Sequence, residues 1–237
     1  MIFRGDAREI VTTFPDNHFD LILLDPDYND WNQLVSEGFI QQMLGLLKDT
    51  GNIICFTKQP FDFALRVECH DYLRRQLVWS FSNGGAWVSN RMPLVSFQMI
   101  YWLTKTNDFF FNARTGIPYS AGTKSFKRAN KVFGDYNEDG KEFVMSPEGT
   151  WMRDHYHFEK PTKGNKFEKP IELLSIFAKC LCPEGGLILD PFCGSGTMGV
   201  VAARQNKQWV GCELNPEYAK IAEERISKEI NIFTEVS

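Results

Sequence analysis

Two spacings of apolar residues alternate along this chain. Continuous apolar runs at 19–25 (FDLILLD), 51–57 (GNIICFT), QLVWSF, 96–105 (SFQMIYWLTK), 185–190 (GGLILD) and QWVGCE at 208–213 predict strands covered on both faces. Between them, apolar residues three and four apart predict helices over 39–48, 61–75, IELLSIFAKCL and TMGVVAARQN. A last helix, NPEYAKIAEERISKEI, starts with Asn215 as its N-cap and Pro216 at its first helical position. Strand and helix in alternation predict a doubly wound α/β fold, with a mostly parallel sheet and helices on both sides.

Residues 106–168 interrupt this rhythm. They are rich in Gly, Pro, Ser, Asn and charge, and they carry Phe109, Phe110, Phe111, Tyr119, Phe126, Phe133, Tyr136, Trp151 and Tyr156. So long an interruption inside a regular frame reads as an insertion with its own task. The 237 residues therefore divide into one α/β domain, 1–105 with 165–237, and an inserted region, 106–164. Charge sharpens that division. Residues 101–170 hold 12 Lys and Arg against 9 Asp and Glu, whereas the rest of the chain holds 14 against 21. The net charge of −4 argues against a simple polyanion binder, but a local basic region is compatible with a nucleic-acid enzyme.

The six cysteines are scattered through apolar segments without zinc-site spacing, and read as buried free thiols. His155 and His157 lack a third ligand nearby and give no metal site. No run of about 18 apolar residues exists, and the start, MIFRGDAREIV, has no leader pattern. These features predict a cytoplasmic protein.

The strongest local signal is LILDPFCGSGTMGVVAA. A strand ends at Asp190, a tight turn carries Gly194 and Gly196, and a helix begins at Thr197. In doubly wound sheets such a turn brings a nucleotide-like ligand against the backbone, and a Cβ would block that approach. Glu213, at the end of the next strand and 23 residues after Asp190, is placed for ribose hydroxyls. No Lys follows Gly196, which disfavours a nucleoside triphosphate; GSGTMG matches a dinucleotide fingerprint loosely.

DPFCGSGT and GCELNPEYAKIAEERI together resemble the S-adenosylmethionine site of the amino-group DNA methyltransferases. Three more segments follow that family's pattern: Gly5-Asp6, DPDY at 25–28 in place of Asp-Pro-Pro-Tyr, and Lys169-Pro170 ahead of the glycine loop. Asp25 precedes Asp190 by 165 residues with the insertion between them, the order of the family's beta class. The resemblance covers roughly 1–57 and 165–230.

It implies a Rossmann-like methyltransferase that uses S-adenosylmethionine on double-stranded DNA, and it leaves room for a homodimer and a cognate restriction enzyme. An exocyclic amino group is a weak nucleophile, so acceptors for its two N–H groups help as charge develops. Asp25 and the Pro26 carbonyl would be those acceptors, and Tyr28 would stack on a flipped base. Aspartate rather than serine at position 25 favours adenine N6 over cytosine N4; cytosine N4 stays open as the alternative. Asp27 replaces a stiffening proline. We expect it to point away, capping a turn, with activity kept; a weakened or noncatalytic relative is the competing reading. By resemblance, Asp6 contacts the cofactor adenine, Lys169 closes its methionine end, and Phe192 packs against it. Asn90, Arg91, Lys124, Lys127, Arg128 and Lys131 are candidate DNA contacts, and sequence specificity is expected within 106–165.

Overall fold

The computed structural model describes residues 1–27, 30–58, 60, 62–82, 94–118, 148–162 and 168–236, with backbone alone at 31 and 231–236. In chain order the elements are β1 (Ile2–Arg4), α1 (Ala7–Ile10), β2 (Phe19–Leu24), α2 (Trp31–Ser36), α3 (Phe39–Leu46), β3 (Leu47–Thr57), α4 (Asp62–Glu68), β4 (Leu73–Ser80), β5 (Phe97–Leu103), β6 (His155–His157), α5 (Ile171–Leu181), β7 (Leu187–Asp190), α6 (Thr197–Arg204), β8 (Gln208–Glu213) and α7 (Pro216–Val236). The strands form one sheet in the order β1-β8-β7-β2-β3-β5-β4-β6. Every pairing is parallel except those of β5, which runs antiparallel to both β3 and β4.

The continuous apolar runs have a direct cause. Successive residues of a strand face opposite sides of a sheet, and here both sides are covered. Leu21 and Leu23 belong to one buried cluster with Leu173, Phe177, Met198 and Val201 of α5 and α6. Ile22 and Leu24 belong to another with Phe39, Ile40 and Met43 of α3 and Leu65 of α4.

Two expected helices end early. The helix expected over 39–48 stops at Leu46 because the chain turns extended at Leu47. Its last carbonyls are taken from outside the helix: Gly45 O accepts from Asn17 N (3.0 Å) and Leu46 O from His18 N (2.8 Å). The helix expected over 61–75 stops at Glu68, and a 3-10 turn, His70–Tyr72, leads into β4. Here the ladder to β5 overrides helical spacing: Leu73 pairs with Leu103 and Arg75 with Trp102.

The interrupting segment also contributes to the sheet. β6 pairs in parallel with β4 through Val78, Trp79 and Ser80, and buries Tyr156 between exposed histidines. Trp79 Nε1 donates to Phe158 O at 2.7 Å. Fully buried Asn52 clips the start of that segment: its Nδ2 donates to the carbonyls of Phe110 (2.9 Å) and Leu181 (2.8 Å), and its Oδ1 accepts from Trp102 Nε1 (2.8 Å). All six cysteines are buried and free. Among the described residues no helix is long and apolar enough to cross a membrane.

Candidate active site

From β7 the chain passes through α6 to β8 on one side, while β2 lies on the other side of β7. The carboxyl ends of β7 and β2 therefore part at a switch point of the sheet, where open α/β folds bind ligands. A cleft of about 1560 Å³ opens there. A single small-molecule site usually occupies about 300–1,000 Å³, so this cleft has room for two ligands side by side.

Of the residues expected in the site, Asp6, Asp25, Pro26, Lys169, Asp190, Phe192, Gly194, Thr197 and Glu213 line this cleft. They come from the ends of β1, β2, β7 and β8 and from the turns before α5 and α6. Gly196 sits beneath it. Its φ is +78°, and a Cβ there would stand 2.7 Å from the Ala222 Cβ of α7, so close packing of α7 already requires a glycine. Phe192 lines the cleft and also packs its ring 5.6 Å from that of Phe39. Tyr28, Asn90, Arg91, Lys124, Lys127, Arg128 and Lys131 lie outside the described residues.

The glycine turn is held from three sides. Gly196 N donates to Cys193 O (2.8 Å), and Cys193 N donates to Cys212 O (3.0 Å). Gly194, at φ +52°, donates its N–H to Glu213 Oε2 at 2.8 Å, while Glu213 Oε1 accepts from Asn215 N at 2.8 Å. Asn215 Oδ1 in turn accepts from Glu217 N at 2.9 Å, the expected helix cap. Ser195 Oγ donates to Glu168, whose carboxylate also accepts from Arg225 of α7 at 2.9 Å. Arg225 donates further to Ser195 O at 2.9 Å. Sequence reading missed Arg225, because nothing in α7 marks one arginine among its charges. Ser195 lay in view inside the glycine turn without a partner to give it meaning.

Two acids dominate the centre. Asp190 is 3% exposed, and burial, reinforced by the neighbouring Asp25, pushes its carboxyl up to about 8. Burial also raises Asp25, against the opposing pull of Lys169, whose ammonium donates to Asp25 Oδ2. Asp6 differs. It caps α1, accepting from Arg8 N at 2.9 Å, and the paired Arg8 guanidinium lowers its carboxyl. Asp27 is exposed at the cleft rim, and its carbonyl closes a turn by accepting from Asp30 N at 2.9 Å. His155 and His157 are engaged with Ser80 Oγ, at 2.8 and 3.1 Å.

The charge of the cleft selects its ligand. Among its described lining residues are eight acids (Asp6, Asp25, Asp27, Asp30, Glu168, Asp190, Glu213, Glu217) and four bases (Arg8, Lys58, Lys160, Lys169). A pyrophosphate would meet that excess of carboxylates unfavourably. A cationic nucleoside with free ribose hydroxyls suits it.

A family profile described as DNA methylase, of the N6/N4 class, matches residues 19–224. The chain belongs to the DNA methylase family. Members of this amino-methyltransferase class take their methyl group from S-adenosylmethionine, and that is the cofactor of this methylase. It is similar to the type II methyltransferases M.HpaI of Haemophilus parainfluenzae (24% identical over 98% of this chain and 76% of the relative) and M.ScaI of Streptomyces caespitosus (24%, 97% and 82%). Its fold matches the M1.HpyAVI–SAM complex (TM-score 0.68, 18% identity, 95% of this chain and 98% of that one). It also matches the PvuII DNA methyltransferase, which is cytosine-N4-specific (TM-score 0.66, 17% identity, 97% and 90%).

Proposed function

We propose that this methylase methylates N6 of an adenine flipped out of duplex DNA, with Asp25 and the Pro26 carbonyl as the acceptors for the target amino group. One observation carries the reading. The Asp25 carboxylate, held by a buried ammonium, lines the same cleft as the glycine turn and Glu213. Bound S-adenosylmethionine supplies a methyl group activated by its sulfonium. Glu213 would receive the ribose hydroxyls, Gly194 and Thr197 would border the cofactor, and Phe192 and Asp6 would flank its adenine. Asp25 and Pro26 would draw the two N–H groups of the base, raising electron density on nitrogen as the new bond forms. Tyr28 would stack on the base, and residues 106–164 would read the sequence around it. The aspartate at position 25 supports adenine over cytosine. Binding as a homodimer and pairing with a restriction enzyme belong to the same proposal.

The test uses methyl-labelled S-adenosylmethionine, unmethylated duplex DNA of mixed sequence, and nucleoside separation of the product. Label in N6-methyladenine that disappears in Asp25→Ala is the expected result. Label in N4-methylcytosine overturns the base assignment. Activity that appears only in Asp27→Pro would show the site of the natural chain to be disabled.

A further inference from the structure

Lys169 stands 144 residues from Asp25 in sequence, yet its ammonium donates to Asp25 Oδ2. The pair is shielded: the Lys169 side chain is 8% exposed and that of Asp25 20%. The Phe56 ring at the end of β3 lies 5.0 Å from the ammonium. Oδ1 of Asp25 has no hydrogen-bond partner among the described residues, and Asp25 lines the cleft. The backbone that carries Lys169 is anchored too. The preceding residue, Glu168, is tied to Ser195 of the glycine turn and to Arg225 of α7. A buried lysine on a carboxylate, fixed from behind by the glycine turn, is held more firmly than an exposed surface ion pair.

We propose that Lys169 is a positioning residue for methyl transfer: its ammonium keeps the Asp25 carboxylate ionised and turned so that Oδ1 meets the target amino group. The proposal rests on the reading of Asp25 as an acceptor. The physical need is plain. Asp25 is desolvated and lies near Asp190. Two acids so placed favour uptake of a proton, and a protonated Asp25 would offer one oxygen as a donor where the base needs an acceptor. Lys169 is the opposing charge in direct contact. The other carboxyl and cationic groups among the described residues lining the cleft are Asp190 and Glu213 at the ends of β7 and β8, Lys58 after β3, Lys160 after β6, Asp27 and Asp30 on the loop of Asp25 itself, Asp6 and Arg8 at α1, Glu168 beside Lys169, and Glu217 of α7. Lys160 rests 3.9 Å over the ring of Phe81, the residue that follows β4.

The experiment compares the natural protein with Lys169→Met, Lys169→Arg and Asp25→Asn. Asp25 is followed by its carboxyl carbon resonance against pH without cofactor or DNA, and kcat and KM for S-adenosylmethionine are measured across the same range. In Lys169→Met the Asp25 midpoint and the acid limb of kcat move together to higher pH by about one unit or more. Rate at a fixed pH on that limb falls about tenfold, while KM stays within about threefold. Lys169→Arg restores the limb toward its natural position. An unmoved Asp25 midpoint in folded Lys169→Met overturns the proposal. So does a rise in KM with kcat unchanged, which would place Lys169 against the cofactor instead. Full activity in Asp25→Asn would overturn the underlying reading of Asp25, an outcome separate from both.

Discussion

Replacing Asp190 by Asn should make the folding stability of this methylase less dependent on pH. Asp190 is buried, and its carboxyl is raised from 3.8 to about 8 by burial first and by Asp25 second. In the unfolded chain it would ionise near pH 4. Between about pH 4 and pH 8 the folded state therefore holds a proton that the unfolded state releases, and stability falls as pH rises through that window. Each pK unit corresponds to about 1.4 kcal/mol, so the roughly four-unit gap amounts to about 6 kcal/mol, comparable to the whole stability of a small domain. Asparagine keeps the oxygen that accepts from Phe192 N at 3.3 Å and has no charge to bury. Urea unfolding of both proteins at several pH values gives the difference directly. Asp190→Asn should gain on the natural protein by about 1.4 kcal/mol per pH unit across the window and by nothing further above it. A difference that stays constant with pH would refute the argument.

Three other perturbations test the frame. Gly196→Ala forces a Cβ to 2.7 Å from Ala222 at φ +78°, so the melting temperature should fall and calorimetry should show weaker S-adenosylmethionine binding. Trp102→Phe removes the donor that satisfies Oδ1 of buried Asn52, and equilibrium unfolding should register a loss of about 1–3 kcal/mol. Arg225→Met strips one donor from Glu168 and two hydrogen bonds from Ser195. Cofactor affinity should drop severalfold by calorimetry while the far-ultraviolet circular dichroism stays unchanged.

Much of this protein is legible in its sequence, for reasons of local physics. The runs at 19–25 and 51–57 could only be strands covered on both faces, and β2 and β3 are that. The glycine turn after Asp190 and the cap at Asn215 are written in adjacent residues, because close backbone approach and capping are short-range needs. The DPDY segment and Lys169-Pro170 could be recognised as motifs for the same reason. Pairings between distant segments could not be read. Spacing alone let 61–75 pass for a helix, and only the ladder to β5 turned its end into β4. Nothing in HYH announced β6, whose place depends on the free edge of β4. The contact of Lys169 with Asp25 and the tie of Arg225 to Glu168 and Ser195 likewise exist only because the sheet brings those segments to one end. The residue types and their chemistry were set by the sequence, but which oxygen meets which ammonium, and how far burial raises Asp190, were decided by the packing of segments far apart in the chain.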